Sequence, residues 1–355
     1  MTQGAAEILL VEDSSRNSGD IIGCLNPSFG LRRVFTEQLA GVEPGLRLPY
    51  VLNVDLAKLP GKPEIESLIG RYDGAKIFIL DDCSRRDFIK VHDLGATDYF
   101  VRPLSEIELA PAIIRALNRN AETAWRSLNS TQRGALRVSV KCFEDCFSRA
   151  AGDEALPAED LKSTSAKILQ ATAGEDLDTW MAALRNHHSY TFRHSMFVCG
   201  TISAFSHAIG IRGIDLELLV QGALLHDIGK AGIPLHVLDK PRALDDAEWK
   251  VMRRHPEISR RYLLQQDHLD PQIVAMAAHH HERLDGRGYP DGLKGSEIND
   301  YVRLVAIGDV FSALVDKRSY KAALPKEEAI KIMMRAQDHL DMDLVSTFRD
   351  FILSS

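Results

Sequence analysis

Histidine and aspartate occur at four places in segments that are otherwise apolar. Burying an ionised aspartate beside an imidazole costs several kcal/mol unless a positive charge compensates it. A divalent metal supplies such a charge, and one carboxylate can bridge two metals. The residues therefore predict a common metal centre. In chain order they are His226-Asp227, His255, His280-His281 and Asp309.

A single histidine on an apolar helix is more often a hydrogen-bonded core residue than a ligand. His280 and His281 differ because adjacent helical side chains point in different directions and rarely both find core partners. Asp309 lies in an apolar segment without lysine or arginine four residues away. A metal held by imidazole and carboxylate lowers the pKa of bound water and so can activate it as a nucleophile. Such mixed ligands fit iron or manganese better than a thiolate-bound zinc.

The segments that carry these residues have helical periodicity, which predicts an all-α domain over residues 159–355. Before it, residues 120–149 lack proline and predict long helices, with a break at Gly134 and a loop at 152–161. We therefore place a helical connector at residues 123–158. The helices predicted in the C-terminal domain are 177–185, 193–208, 215–225, 245–254, 256–265, 271–279, 302–315 and 326–337.

The first third of the chain alternates short apolar runs with helical segments, which predicts a parallel sheet covered on both faces. The predicted strands are 7–11, 31–35, 50–54, 76–80 and 99–101, and the predicted helices are 14–25, 63–71 and 86–94. Strand ends in such folds form the functional crevice. Glu12, Asp13 and Asp55 lie at these ends and would form an oxygen-ligand site of the type that magnesium prefers.

Composition limits the remaining classes of function. The 355 residues favour two domains, and the net charge of −7 argues against bulk attraction to nucleic acid or an anionic membrane. A local basic pocket for a phosphorylated small molecule is compatible with that charge. No run approaches ~20 apolar residues and no secretory signal is evident. The five scattered cysteines fit a reducing cytoplasm, where we expect the protein.

Residues 1–122 resemble the receiver domain of bacterial response regulators. The matching stretches are Ile8-Leu9-Leu10-Val11-Glu12-Asp13, Val54-Asp55-Leu56 and Gly95-Ala96-Thr97-Asp98-Tyr99-Phe100-Val101-Arg102-Pro103. The resemblance implies that Asp55 accepts phosphate while Glu12 and Asp13 hold the metal.

Two positions depart from the receiver pattern. Asp81-Asp82 stands where the family has Thr or Ser, and Arg102 replaces its lysine. A carboxylate there repels phosphate, and arginine differs from lysine in donor geometry. We therefore favour a degenerate receiver that acts in protein interaction or dimerisation over one that is phosphorylated at Asp55. GGDEF-type signalling proteins or a kinase are the partners that such a domain would have, and a homodimer is compatible with it.

The C-terminal part resembles the HD-GYP family of the HD phosphohydrolase superfamily. The matching stretches are Leu225-His226-Asp227-Ile228-Gly229-Lys230, His255-Pro256, His280-His281-Glu282-Arg283-Leu284-Asp285-Gly286-Arg287-Gly288-Tyr289-Pro290, Asp309-Val310-Phe311-Ser312-Ala313 and Arg318-Ser319-Tyr320-Lys321. Ser312 and Ser319 replace the usual Asp and Pro. The resemblance implies a metal-dependent phosphodiesterase that hydrolyses cyclic di-GMP at a dinuclear centre of iron or, second, manganese.

Family membership would also assign individual roles. Asp227 would bridge the metals, Lys230 would stabilise charge on the phosphate during catalysis, and Tyr289 would lie beside the substrate. Arg318 and Lys321 would contact substrate phosphate. The implied metal ligands are His194, His226, Asp227, His255, His280, His281 and Asp309.

Tyr190 stands where family members with three metals carry an acid, four residues before His194. A neutral phenol, with a pKa near ~10, is a poor metal ligand, so we expect two metals. The pair His187-His188 could add a ligand, but we favour surface exposure for it. Alignment with the Gly288-Tyr289-Pro290 segment favours His280 and His281 as ligands. His279 would then be a neighbour of the ligands or a surface residue.

Two alternative functions remain open from the sequence. The first is a catalytically weak or inactive HD-GYP protein that binds metal and acts as a cyclic-dinucleotide sensor or interaction module. The second is a phosphohydrolase of another nucleotide, because the metal ligands do not read guanine. Lys230, Arg318 and Lys321 favour a phosphate-bearing ligand in all three cases.

Overall fold

The computed structural model describes residues 6–24, 29–42, 48–72, 74–82, 84–173, 177–185, 187, 189–238, 240, 243–316 and 323–354. The chain forms two compact units, Met1–Thr123 and Ala124–Ser355. Among the helices of the described residues, none is long and apolar enough to cross a membrane.

The first unit is built on a five-stranded parallel sheet of order β2-β1-β3-β4-β5, as predicted. This is the order of flavodoxin-like folds. The strands are β1 Ala6–Glu12, β2 Phe29–Phe35, β3 Tyr50–Asn53, β4 Lys76–Leu80 and β5 Asp98–Val101. The helices among the described residues are α1 Gly19–Cys24, α2 Pro63–Arg71, α3 Arg85–Asp93 and α4 Glu106–Ala124.

Both faces of the interior strand β1 are buried, which explains its continuous apolar run. Ile8 and Leu10 belong to one core cluster, while Leu9 and Val11 belong to the other. The predicted helix 14–25 is shorter than expected. Its first turn is missing because Asn17 accepts a hydrogen bond from the Gly19 backbone at 2.9 Å, a local bond that competes with helix formation.

The second unit is helical around a single hydrophobic core, as predicted for its C-terminal part. Three of its helices, at Ala158–Thr172, Leu235–Leu238 and Met342–Ser354, were absent from the prediction. The helices are α5 Ser130–Ala151, α6 Ala158–Thr172, α7 Leu177–Leu184, α8 Tyr190–Ala208, α9 Gly213–Leu225, α10 Leu235–Leu238, α11 Asp246–Met252, α12 His255–Leu263, α13 Pro271–His279, α14 Asp300–Val315, α15 Lys326–Met334 and α16 Met342–Ser354.

Helix α5, which we predicted as part of a connector, packs inside this unit. Phe143 of α5 meets Phe192 of α8 with ring centroids 5.4 Å apart. Gly134 does not break α5, which was an incorrect prediction. The helix instead begins after Asn129, whose side chain accepts a bond from the Gln132 backbone at 2.8 Å and so caps it. The domain boundaries at residues 122 and 158 stay predictions.

Candidate metal centre

Five segments of the second unit bring the predicted metal ligands together. Helix α8 carries His194, and Ser189 caps the start of this helix by accepting a bond from the Phe192 backbone at 3.3 Å. His226 and Asp227 follow α9 directly. The remaining three segments contribute His255 at the start of α12, His280 and His281 at the end of α13, and Asp309 within α14.

Two glycines permit the close helix contacts that this convergence requires. A Cβ atom on Gly229 would lie 2.0 Å from the carbonyl oxygen of His255. The Gly229 backbone N–H instead donates to Ser259 Oγ at 2.9 Å, which fixes the turn after Asp227 against α12. A Cβ atom on Gly308 would lie 2.7 Å from the side chain of Ile202. Glycine at that position lets α14 approach α8 closely.

Asp227 belongs to one of two groups of three side chains that could each hold a metal ion, and it also faces the other group. Within each group the ligand atoms lie within 4.8 Å of one another. Asp227 Oδ2 is 3.3 Å from His226 Nε2, and its Oδ1 is 3.2 Å from His255 Nε2. One carboxylate thus presents one oxygen to each group, as a bridging ligand would. The groups are His194, His226, Asp227 and His255, His280, His281.

Asp309 makes a second link across the centre. Its Oδ1 is 2.8 Å from His194 Nε2, and its Oδ2 is 3.6 Å from His281 Nδ1. The residue therefore touches one member of each group, with a different oxygen for each. All seven ligands implied by the sequence are brought into one cluster.

Three histidines share an arrangement that directs a lone pair at the centre. In each, the Nδ1–H donates to the backbone carbonyl three residues earlier, which leaves Nε2 without a proton in the neutral ring. The bonds are His226 to Ala223 at 2.7 Å, His255 to Met252 at 2.8 Å and His280 to Ala277 at 3.1 Å.

This donor set fits a divalent metal. With Nδ1 protonated, His255 Nε2 and His280 Nε2 would place two lone pairs 3.4 Å apart, and a cation between them would remove that repulsion. His226 Nε2, Asp227 Oδ1 and His194 Nδ1 are buried and have no hydrogen-bond partner of proper geometry among the described residues. Buried polar atoms without partners are rare in proteins unless an ion or water completes them.

The charges around Asp227 favour its ionised form. Burial raises the pKa of Asp227, but Lys230 and His226 outweigh it and hold this pKa well below the ordinary value. Lys230 Nζ lies 2.5 Å from Asp227 Oδ2. Burial likewise lowers the pKa of His226, yet the Asp227 charge outweighs burial and raises it. Asp227 therefore favours its ionised form, which is the form that binds metals.

The pKa shifts of three further candidate ligands, His280, His281 and Asp309, favour their metal-binding protonation states. Burial lowers the pKa of His281 to about 3 and that of His280 well below the ordinary value, with the neighbouring imidazoles adding to the effect on His280. Burial raises the pKa of Asp309, but the hydrogen bond from His194 and the imidazole charges hold it well below normal. Neutral imidazoles and ionised carboxylates are the forms that bind metals.

The other residues that we considered as ligands lie outside the cluster. His187, which we expected on the surface, is buried beside Phe192 with ring centroids 4.4 Å apart, a correction to the prediction. His279 contacts Asp291 at 2.9 Å. The Tyr190 ring stacks on His194 at 5.6 Å between centroids. His188, Arg318 and Lys321 lie outside the described residues.

Comparisons with known proteins show the family to which the chain belongs. Residues 181–344 match the HD domain family. A cyclic di-GMP phosphodiesterase of Thermotoga maritima is 39% identical over 79% of this chain and 73% of its own length. A 3'3'-cGAMP-specific phosphodiesterase of Vibrio cholerae is 40% identical over 41% of this chain and 31% of its own. The chain belongs to the HD-GYP family.

Further comparisons concern the fold and the share of each relative that the chain covers. The solved structure of Bd1817, an HDG"Y"P protein from Bdellovibrio bacteriovorus, aligns with a TM-score of 0.52 at 20% identity, over 69% of this chain and 80% of that one. That likeness concerns the fold. The chain spans about a third to a half of the length of several curated relatives that it matches.

The loop that gives the HD-GYP family its name is attached to the end of α13. Glu282 Oε1 accepts bonds from the backbones of Asp291 and Gly292 at 2.7 and 3.0 Å. This holds the Tyr289 ring 4.8 Å from the His281 ring. The predicted substrate residue Tyr289 thus lies beside the metal centre. Glu282 belongs to the sequence motif, but its role in holding this loop was not predicted. An acid directly after two candidate ligands is the signal that could have indicated it.

A buried ion pair that the sequence did not reveal holds α8 to the end of α14. Arg193 Nε donates to Asp316 at 2.8 and 3.0 Å, and a second guanidinium nitrogen donates to the His187 carbonyl. Because Arg193 precedes His194, this pair helps to orient a ligand-bearing helix. An arginine on an apolar helix was the only local signal.

In the first unit, basic residues already pair with the carboxylates that we predicted to bind metal. Arg33 donates to Glu12 at 2.8 and 2.6 Å. Asp13 accepts bonds from Thr36 at 2.9 Å and from the Asp55 backbone at 2.6 Å. Among the described residues these acids do not form a group that could hold a metal. The magnesium site stays a prediction, and Arg33 is a competing partner for one of its acids.

Asp55, the predicted phosphoacceptor, and Arg102 also form ion pairs. Asp55 lies 3.0 Å from Lys58 Nζ, and the hydrogen bond to Lys58 lowers the pKa of Asp55. Arg102, at the family's lysine position, binds Asp20 at 2.6 Å and Asp81 at 2.9 Å. Arg102 thus has two carboxylate partners of its own in the described structure.

Proposed function

We propose that this HD-GYP protein is a metal-dependent phosphodiesterase that hydrolyses cyclic di-GMP at a dinuclear centre. The observation that carries the proposal is Asp227, which presents one oxygen to each of two ligand groups. Two such sites a few ångströms apart are the arrangement that binds a phosphodiester and activates water. Iron is the metal that we favour, with manganese second.

Bound metals would supply a water of lowered pKa and positive charge for the phosphate oxygens. The chain itself orients the ligands, since three backbone carbonyls fix the imidazole rings. Lys230 would neutralise charge that builds on the phosphate, because its Nζ lies at the edge of the cluster with 13% of its side chain exposed. Arg318 and Lys321 keep their predicted role in binding phosphate.

The proposed number of metals depends on the residue four positions before His194. Tyr190 offers an aromatic ring stacked on His194 where a carboxylate would be needed for a third metal. We therefore propose two metals per chain. Metal analysis that found three would refute this assignment.

The three consecutive histidines provide a matched test of the ligand set. His280 belongs to a ligand group and is buried, whereas His279 contacts Asp291 outside the groups. We expect His280→Ala to lose at least one metal per chain and His279→Ala to keep two, as measured by elemental analysis. Equal metal content in the two variants would contradict the assignment.

Activity separates the proposal from its alternatives. Protein loaded with iron or manganese should convert cyclic di-GMP to the linear dinucleotide. Tight binding of cyclic di-GMP without product would identify a sensor or interaction module instead. Hydrolysis of another cyclic dinucleotide, such as 3'3'-cGAMP, but not of cyclic di-GMP would identify a different substrate.

For the first unit we propose a receiver-like module that works without phosphorylation. The pairing of Glu12 with Arg33 and of Arg102 with two aspartates supports this role. Its partners would be proteins of the signalling pathway, such as GGDEF-type proteins or a kinase, or a second copy of the chain. Pull-down with the first unit's surface variants would identify them.

A further inference from the structure

Arg253 extends the stack of rings that begins at the candidate metal centre, and Trp249 lies on the same helix. The Tyr289 ring lies 4.8 Å from the His281 ring. The guanidinium of Arg253 lies over the same tyrosine, 5.2 Å from its centroid. A contact chain therefore runs from a metal ligand through Tyr289 to an exposed arginine outside the ligand cluster.

Trp249 lies one helical turn from Arg253, and the Arg253 backbone N–H donates to the Trp249 carbonyl at 3.0 Å. The tryptophan is 43% exposed. Large aromatic side chains that remain exposed next to a binding site often bind ligands. An indole is also a strong stacking platform for a nucleobase.

These two residues line a cleft with Asp246 and Lys250. It is an open groove of ≈ 380 Å³, and its four lining residues lie along one face of α11 and the residue after it. Two cationic side chains and one acidic side chain face it, so its charge suits an anionic nucleotide. Among the described residues Arg253 has no carboxylate within ion-pair distance, whereas Arg193 of the same unit pairs with Asp316 at 2.8 Å.

We propose that Trp249 and Arg253 form a subsite for one nucleobase of the cyclic dinucleotide, with guanine preferred; this rests on the proposed function. The scissile phosphate lies at the metal centre, and the attached base extends past Tyr289 onto the indole. Arg253 donates hydrogen bonds to guanine O6 and N7, which are both acceptors. Adenine presents an amino donor beside N7 and is disfavoured by the same guanidinium.

The test compares two substrates of the manganese-loaded full chain. Cyclic di-GMP uses the subsite, whereas bis(p-nitrophenyl) phosphate has a phosphodiester and no nucleobase. We expect Arg253→Ala and Trp249→Ala each to lower kcat/KM for cyclic di-GMP about tenfold, mainly through KM, as the loss of one base contact predicts. Turnover of bis(p-nitrophenyl) phosphate and the metal content should stay unchanged.

Arg254→Ala is the matched control, because Arg254 is an exposed neighbour of Arg253. It should leave both substrates unaffected. Arg253→Lys keeps the charge but loses the planar pair of donors, so it should reduce the preference for cyclic di-GMP over cyclic di-AMP. Such a loss of base preference is a result that a purely structural role of Arg253 would not produce.

Three results would overturn the inference. An equal loss on both substrates for Arg253→Ala would show that the residue only supports the Tyr289 loop. Unchanged cyclic di-GMP kinetics in both alanine variants would show that no base contacts this cleft. Wild-type protein that hydrolyses bis(p-nitrophenyl) phosphate but neither binds nor hydrolyses any cyclic dinucleotide would overturn the proposed function itself, and the subsite with it.

Discussion

Asp227→Asn tests the bridging role directly, because asparagine keeps the shape of the side chain and removes its charge. The two carboxylate oxygens lie 3.2 Å from His255 Nε2 and 3.3 Å from His226 Nε2. An amide can present an oxygen to only one of these groups. Its NH₂ group would point hydrogens at the other, so at most one metal site stays intact.

The expected magnitudes follow from the contacts of Asp227. Lys230 lies 2.5 Å away with a side chain that is 13% exposed, and removal of one member of a buried pair costs about 3–5 kcal/mol. Because the ammonium can reach water in part, we expect the metal-free protein to lose about 3 kcal/mol. Metal stabilisation of the transition state contributes several kcal/mol. A loss of about 4 kcal/mol lowers kcat roughly 10³-fold.

Three measurements check this prediction. Elemental analysis should show fewer than two metals per chain, thermal unfolding in chelator should show a lower Tm, and kcat for cyclic di-GMP should fall. The control is Asp285→Asn, since Asp285 pairs with Arg283 at 2.7 Å outside the ligand groups. Asp227→Asn protein that kept two metals and activity within tenfold of wild type would refute the bridging geometry.

Four further predictions follow from the same contacts. Gly229→Ala places a Cβ atom 2.0 Å from the His255 carbonyl oxygen. This overpacking should lower the free energy of unfolding by about 1–3 kcal/mol in denaturant. An unchanged unfolding midpoint would contradict the close approach of Gly229 to α12. Glu282→Ala should raise KM for cyclic di-GMP and destabilise the fold by about 2–4 kcal/mol, because two hydrogen bonds to a buried carboxylate are lost. Glu282→Gln keeps the accepting oxygen, so its effects should be milder. Equal effects of the two substitutions would argue that Glu282 does not hold the loop. Acetyl phosphate with magnesium should leave Asp55 unmodified by intact-mass analysis, and a single added phosphoryl group that Asp55→Asn abolishes would reverse that proposal. Removal of metal by chelator should lower Tm, since ions that bind only the folded state stabilise it, and re-addition of manganese should restore it.

Much of the metal centre could be predicted from sequence because its signal is local. His226 and Asp227 follow a helix that ends in the apolar run Ala223-Leu224-Leu225, and polar groups of this kind need a partner when they are buried. Helical periodicity likewise places Asp309 inside an apolar helix. The five-stranded parallel sheet was predictable for the same reason, since short buried strands are continuous apolar runs.

The pairing of side chains could not be predicted in this way. Arg33 lies 21 residues from Glu12, and Arg102 lies 82 residues from Asp20, so sequence showed the acids of the first unit without the arginines that pair with them. A predicted magnesium site was the result. Basic side chains are common on surfaces, and nothing local indicates which acid each will reach.

The sequence by itself determined which residue types are available to bind metal, and the helices that carry them. Only the tertiary structure decided that Asp227 faces two groups at once and that Arg193 pairs with Asp316, 123 residues away. It also placed Arg253 over Tyr289. The physical reason is that helix periodicity determines which face of a helix a side chain occupies. Packing between helices that are distant in sequence determines whether that side chain lies close enough to the other ligands to bind a metal.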